Sequence, residues 1–377
     1  MSNKAKIIFF ILIFLLCILG CDKDIVIKTF PVADDYECWC YPRADRQNTG
    51  YISGNLNDDL EILWEKDIKY LDPSSAIIFA DMLIIGLRTK RILAFDTQTG
   101  NKVGDIWVDV PLIYPPIVYD NKLWYLGFGD WNKVGVYNLK NRKIEWSRSC
   151  GDAEVFPIIT DSPTQSLIVA TLKGGIYALA LHDAEKKWTY KTPLSIKEPG
   201  AYHDGIIYFC SGNKIFAIDG DGELVWQKKI PIAPAGVLVV YGEKIFAHSS
   251  NGKILALSTE HGEIIWENSI GEGGLPMATD GKKLIVPERT GKVFGLDNST
   301  GEKIWSSQIG DVLTSAPSIV GNKVILITYT GKLFLLNIEN GKTITTLDID
   351  VPVRRAPISD GEKIFVISMS GKLFCIR

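Results

Sequence analysis

Asp219-Gly220-Asp221-Gly222-Glu223 sets oxygen ligands at alternate positions, the opening of a calcium loop. Such a loop closes with a bidentate Glu at its twelfth position, and Ile230 stands there. The same place two periods later reads Asp297-Asn298-Ser299-Thr300-Gly301-Glu302, so the segment reads as a turn between strands. Cys38-Trp39-Cys40 offers two thiols, but zinc needs two further ligands nearby and the flanking sequence supplies none. His182, His203, His248 and His261 fall in separate copies of a repeat, without ligand spacing. A nucleophile elbow, a phosphate-cradling glycine loop and HExxH are all missing. These patterns give no catalytic residue, no metal ligand set and no cofactor site, and the chain is read as a non-enzyme.

The elements carrying these residues come from a repeat. The glycine opening "GKVFGLDNSTGEKIW" recurs at Gly212, Gly252, Gly291, Gly331 and Gly371, and a closing tryptophan at Trp146, Trp188, Trp226, Trp266 and Trp305. Each copy holds four short apolar runs broken by Gly, Asn and Asp. In the seventh they are "APSIV", "KVILIT", "KLFLLNI" and "KTITTLDI". Bursts of β-branched and aromatic residues between tight turns are strands, and four per roughly 40 residues make a propeller blade. The regular tryptophans are expected to pack between neighbouring blades.

Seven copies run from about Ser74 to Val351, and the eighth ends after three strands. "LEILWEKDI", residues 60–68, carries Trp64 where a closing tryptophan belongs. The expected fold is therefore all-β: an eight-bladed β-propeller of four-stranded antiparallel blades, closed by an N-terminal strand that completes the last blade. Closure of this kind leaves no free edge at the seam. Seven blades would follow if a weak copy were not a blade: the first has Gly104 in place of the tryptophan, and the seventh Thr345.

Ahead of the ring, Lys4 and Lys6 precede an apolar run from Ile7 to Leu19, too short to span a bilayer as a mature helix. Residues 1–20 read as a signal peptide, 21–59 as a tether and lead-in, and 60–377 as the propeller. "ILGC" resembles a lipoprotein cleavage box, which implies cleavage before Cys21 and lipidation of its thiol; the other reading is an ordinary secretory signal. Asp22 resembles an inner-membrane retention signal, so inner and outer membrane both stay open. Without Lys4 and Lys6, 39 basic side chains face 44 acidic ones, which gives no general attraction to nucleic acid. Beyond Cys21 five cysteines remain, an odd count. Cys38 and Cys40 either bridge each other or tie the lead-in to the ring.

The copies "GKVFGLDNSTGEKIW", "GKILALSTEHGEIIW" and "NKIFAIDGDGELVW" resemble the repeat of the pyrroloquinoline-quinone-like β-propellers, and "YPRADRQNTGY" resembles the lead-in found before their first blade. The resemblance covers nearly the whole mature chain. Within that family it is strongest to lipid-anchored members of the β-barrel assembly machinery, which implies a scaffold facing the periplasm that docks envelope proteins. A propeller binding some other envelope or cell-surface partner is the alternative. The family's dehydrogenases use an Asp base, calcium ligands under a quinone and an adjacent Cys-Cys disulfide; this chain has no Cys-Cys dipeptide and no long insertions.

Residues that break the repeat are the candidates for partner binding, because the ring does not require them. Second-to-third-strand turns and blade-to-blade connections emerge on one face. Most copies put a bland turn there, such as "SSNG" or "SMSG", but blade one has Arg88, Lys90 and Arg91, and blade eight enters with Arg354 and Arg355. Blade two expands the turn to "GFGDWNK", adding Phe128 and Trp131. Ring closure makes blades eight and one neighbours, so these basic and aromatic residues are expected to form one interaction surface.

Overall fold

The computed structural model describes residues 24–25, 38–70, 73–127, 132–150, 155–160 and 165–377. Residues 1–20, expected to be a signal peptide, Cys21, Phe128 and Trp131 lie outside them. Eight antiparallel blades follow one another around a ring, seven of them with their four strands in chain order from the channel outward. Blade five is typical: Val239–Tyr241, Lys244–His248, Lys253–Ser258 and Ile264–Ser269. Blade eight is made of Ile358–Ser359, Ile364–Ile367 and Lys372–Ile376, with Ile62–Asp67 as its outermost strand. Trp64 opposes Cys375 and Asp67 opposes Lys372 in that last pairing. The expected closure by the N-terminal strand is thus present, and the ring has eight blades.

The register explains the repeat. In all eight blades the pairing of the third and fourth strands shifts by one residue just before the tryptophan position, as between Ile264 and Trp266. A bulge re-aims the following side chain. The indole Nε1 then donates to a carbonyl in the next blade's outer turn: Trp188 to Gly220, Trp226 to Thr259, Trp266 to Asn298, and Trp305 to Ile338, at 2.8–3.1 Å. Trp64 does the same across the seam, to Thr97 at 3.1 Å. The glycine of each Thr-Gly-type turn has its reason here. At Gly301 φ is +74°, and a Cβ would run into the Trp266 ring. The glycine that opens the phrase serves the other face: at Gly252, φ +80°, a Cβ would strike the carbonyls of Ile270 and Gly271 in the passing connection.

Buried residues cluster between blades rather than within them. Phe246, Ile254 and Trp266 of blade five pack with Met277, Val286 and Phe294 of blade six in one such cluster. A blade has two apolar faces and buries them only against its neighbours, which is why the ring must close.

Residues 38–56 run through the central channel. The strand Tyr51–Ile52 pairs in parallel with Ser318–Val320, the innermost strand of blade seven. Backbone carbonyls of this segment accept from inner-strand amides in six blades: Trp39 from Ile78, Cys40 from Val118, Arg46 from Tyr202, Gln47 from Val240, Thr49 from Thr279 and Gly50 from Ile319. Blade three is reached by the Arg46 guanidinium, which donates to the Ile159 carbonyl at 3.1 Å, and blade eight by the Asn55 amide, which donates to Gly361 at 2.8 Å. Inner strands present unpaired polar edges to the channel, and this one segment satisfies them in every blade.

Candidate functional site

Two regions qualify: the face carrying the second-to-third-strand turns, and the channel. On the first, each blade-to-blade connection rests on a turn. Val353 N donates to Tyr329 O, Met369 N to Pro352 O, and Val108 N to Lys90 O. The turn at Arg88, Lys90 and Arg91 and the connection holding Arg354 and Arg355 therefore share a face, as the topology predicts. The residues are not equivalent there. Arg91 is paired with Asp105, which also takes Lys102 Nζ at 2.7 Å. Arg354 lies over the Tyr329 ring, 5.7 Å from its centroid, so it leans toward blade seven.

Tyr329 is the residue the sequence reading missed. It is 37 % exposed and its amide donates to the carbonyl of Val312, itself 50 % exposed. Tyr329, Val312 and Arg354 thus form an aromatic, aliphatic and cationic group around one turn of blade seven, the composition of a hot spot. The signal was available: the turn reads Thr328-Tyr329-Thr330-Gly331 where blade five has Ser249-Ser250-Asn251-Gly252.

In the channel, Cys38 and Cys40 form a disulfide with each other, and Trp39 between them is fully buried. Arg43 is buried and donates to the carbonyls of Met277, at 2.6 Å, and Pro317, at 3.1 Å, bracing blades six and seven. Burial lowers its guanidinium to about 10, while Asp45 opposes the shift. Burial likewise raises Asp45, against hydrogen bonds from Thr49 and Gln47 and the nearby charge of Arg43. Asn48 Nδ2 donates to the carbonyls of Gly200 and Leu238, in front of blades four and five. A cavity of about 370 Å³ is left beside the segment, lined by Cys38, Cys40, Asp45, Arg46 and Tyr51 among others. A smaller one, about 200 Å³, lies between Arg46, Gln47 and the His203–Gly205 turn. His203 Nδ1 is held by Gln47 Nε2 at 2.8 Å.

The sequence profile of the family described as outer membrane protein assembly factor BamB matches residues 61–233 and 195–377, the whole ring. The chain belongs to that family. A BamB from Vibrio cholerae is 29 % identical over 30 % of this chain, and the match spans 34 % of that protein. Among solved structures, BamB from Moraxella catarrhalis superposes with a TM-score of 0.70 at 15 % identity, covering 85 % of this chain and all of the other. Quinohemoprotein alcohol dehydrogenases share the same ring. The enzyme from Comamonas testosteroni gives a TM-score of 0.74 at 12 % identity, covering 91 % and 81 %; that from Pseudomonas putida gives 0.75 at 10 %, covering 95 % and 83 %. At such identities the likeness concerns the fold alone.

The residues here do not fit a quinone. Residues 38–56 bond to the inner strands of the channel wall, and the disulfide encloses a buried tryptophan instead of joining adjacent cysteines. Among the described residues no group of three His, Cys, Asp or Glu side chains is placed to hold a metal ion.

Proposed function

We propose that this chain is a lipid-anchored, non-catalytic scaffold that binds protein partners in the bacterial envelope and serves the assembly of outer-membrane β-barrel proteins. The observation that carries the reading is the BamB family match over the entire ring, residues 61–233 and 195–377. The filled channel supports it, because a propeller without an open inner chamber works through its outer surfaces. Partner binding is assigned to the turn face: Arg88, Lys90, Arg91, Arg354 and Arg355 on blades one and eight, Phe128 and Trp131 beyond the described residues, and Tyr329 with Val312 on blade seven. Cys21 is the proposed lipidation site, with the ring held at the periplasmic side of a membrane by acyl chains.

Affinity purification of the full-length lipoprotein from detergent-solubilised native membranes tests this. Recovery of a β-barrel assembly protein is expected, and a clean preparation without one would overturn the assembly role. The double variant Arg354→Glu/Arg355→Glu is expected to lower that recovery at least tenfold with an unchanged melting temperature. Arg91 is unsuited to the variant, since its pairing with Asp105 gives it a structural part as well.

A further inference from the structure

Blade one lacks the tryptophan that staples its neighbours, and its slot is filled. Gly104 opposes Ala94 in the third-to-fourth-strand pairing, as Trp266 opposes Ala256 and Trp226 opposes Ala217. The slot is therefore built like the others. A Cβ on Gly104 would strike the Ile25 side chain, and Ile25 is fully buried. Ile25 takes the indole's place between blades one and two. Its backbone lies against the Tyr137 hydroxyl of blade two, which burial and then Asp24 push up to about 12, with Arg142 acting the other way. Ile25 therefore adjoins Tyr137, near enough to the outer turn of blade two for Asp24 and Arg142 to act on the same hydroxyl.

The edge at which the segment is pinned is basic within an acidic chain. Over residues 138–149, which run along the outer turn and strand of blade two, the charged side chains are Lys140, Arg142, Lys143, Glu145 and Arg148. Glu145 is already paired with Lys122 at 3.0 Å. The four basic residues are exposed. Ile144 on the same strand is 42 % exposed, and Trp107 at the end of blade one's outer strand is 48 % exposed. Basic side chains along one outer strand, with an exposed aliphatic side chain beside them and an exposed indole on the adjoining blade, are the composition of a surface that lies on anionic lipid.

We propose that the outer rim of blades one and two is the surface this propeller turns toward the membrane, with Ile25 docked in the vacant tryptophan slot to hold it there. The inference rests on the lipid-anchored reading above. Cys21 precedes Asp24 by three residues, a reach of roughly 10 Å at full extension. An acylated Cys21 would thus enter the bilayer beside Arg142, and the ring would stand on its edge with the turn face free for protein partners. Lys140, Arg142, Lys143 and Arg148 would meet anionic headgroups, and Trp107 and Ile144 the interfacial region.

The test uses the full-length lipidated protein in vesicles of phosphatidylglycerol and phosphatidylethanolamine, with amide hydrogen exchange read by mass spectrometry against the detergent-solubilised protein. Residues 102–107 and 139–149 are expected to exchange at least tenfold more slowly on vesicles, with other outer strands unchanged. Gly104→Trp rebuilds the missing staple and evicts Ile25. It is expected to keep the melting temperature, stay on the vesicles and lose the rim protection. Ile25→Asp gives the same readout if Gly104→Trp folds poorly. Arg142→Glu/Lys143→Glu should lower protection while Ile25 remains docked. Vesicle-bound protein whose rim exchanges as in detergent would overturn the inference and leave the anchor reading intact. Protection that survives eviction of Ile25 would overturn it as well. Protein that is not retained on vesicles would overturn both.

Discussion

The indole of Trp266 does two separable jobs: it fills the gap between blades five and six and donates one hydrogen bond to Asn298 O. Trp266→Phe keeps most of the volume and is expected to cost about 1 kcal/mol, while Trp266→Ala should cost about 3–5 kcal/mol; denaturant unfolding measures both. His248 is a different kind of residue. It is buried, its Nδ1 faces the Leu275 carbonyl at 3.3 Å, and its Nε2 has no hydrogen-bond partner among the described residues. Burial holds its pKa below the usual imidazole range, so the neutral form is favoured in the folded state. The unfolded chain therefore binds the extra proton first, and stability should fall as pH drops below about 6.5 until the lowered folded value is passed. His248→Gln is expected to flatten that part of the stability profile, and a profile indistinguishable from the parent would refute the assignment. Cys210 and Cys375 complete this scale. Burial pushes both thiols up to about 12, so iodoacetamide at pH 8 should leave them unmodified until the protein unfolds.

At the scale of elements, the strands were legible because they are written many times over. "KLFLLNI" alone reads as a strand of any architecture, but its recurrence before an Asn-Gly or Thr-Gly turn fixes the blade, and the runs "KVILIT" and "KLFLLNI" correspond to the strands Lys323–Ile327 and Lys332–Asn337. Gly104 was legible as an irregularity, but its occupant was not: nothing in "DKDIV" marks Ile25 as the replacement for an indole. The lead-in escaped for a related reason. Its hydrogen bonds reach every blade, as far along the chain as Gly361, and a single unrepeated segment carries no period to reveal them. That segment makes a testable unit. Arg43→Met leaves the Met277 and Pro317 carbonyls without their donor in a buried place, where each unmet group costs about 1–3 kcal/mol. The expected outcome is a lower melting temperature together with faster exchange of the Ile78, Val118, Tyr202, Val240, Thr279 and Ile319 amides. Loss at Thr279 and Ile319 alone would show that the segment is held blade by blade and not as a unit.

For the whole molecule, the turn face combines what was foreseen and what was not. The basic turn of blade one and the Arg354–Arg355 connection could be placed on one face from topology, because alternate turns of a four-stranded blade must emerge together. Their individual partners could not: Asp105 lies on a neighbouring strand and Tyr329 on another blade, and side-chain pairing of that kind depends on rotamers that no repeat encodes. The lead-in also has a consequence in time. Residues 38–67 are synthesised before any complete blade, yet their hydrogen-bond acceptors and donors include blade seven, and their outer strand pairs with the last strand of the chain, Lys372–Ile376. Contacts of such sequence separation form slowly. The chain therefore leaves its site of synthesis with a thread around which the blades must accumulate, each adding its own bond, and the eighth locks it in. Folding of this protein is an act of encirclement, and until the circle is complete residues 38–67 are open to any chaperone or protease that meets them.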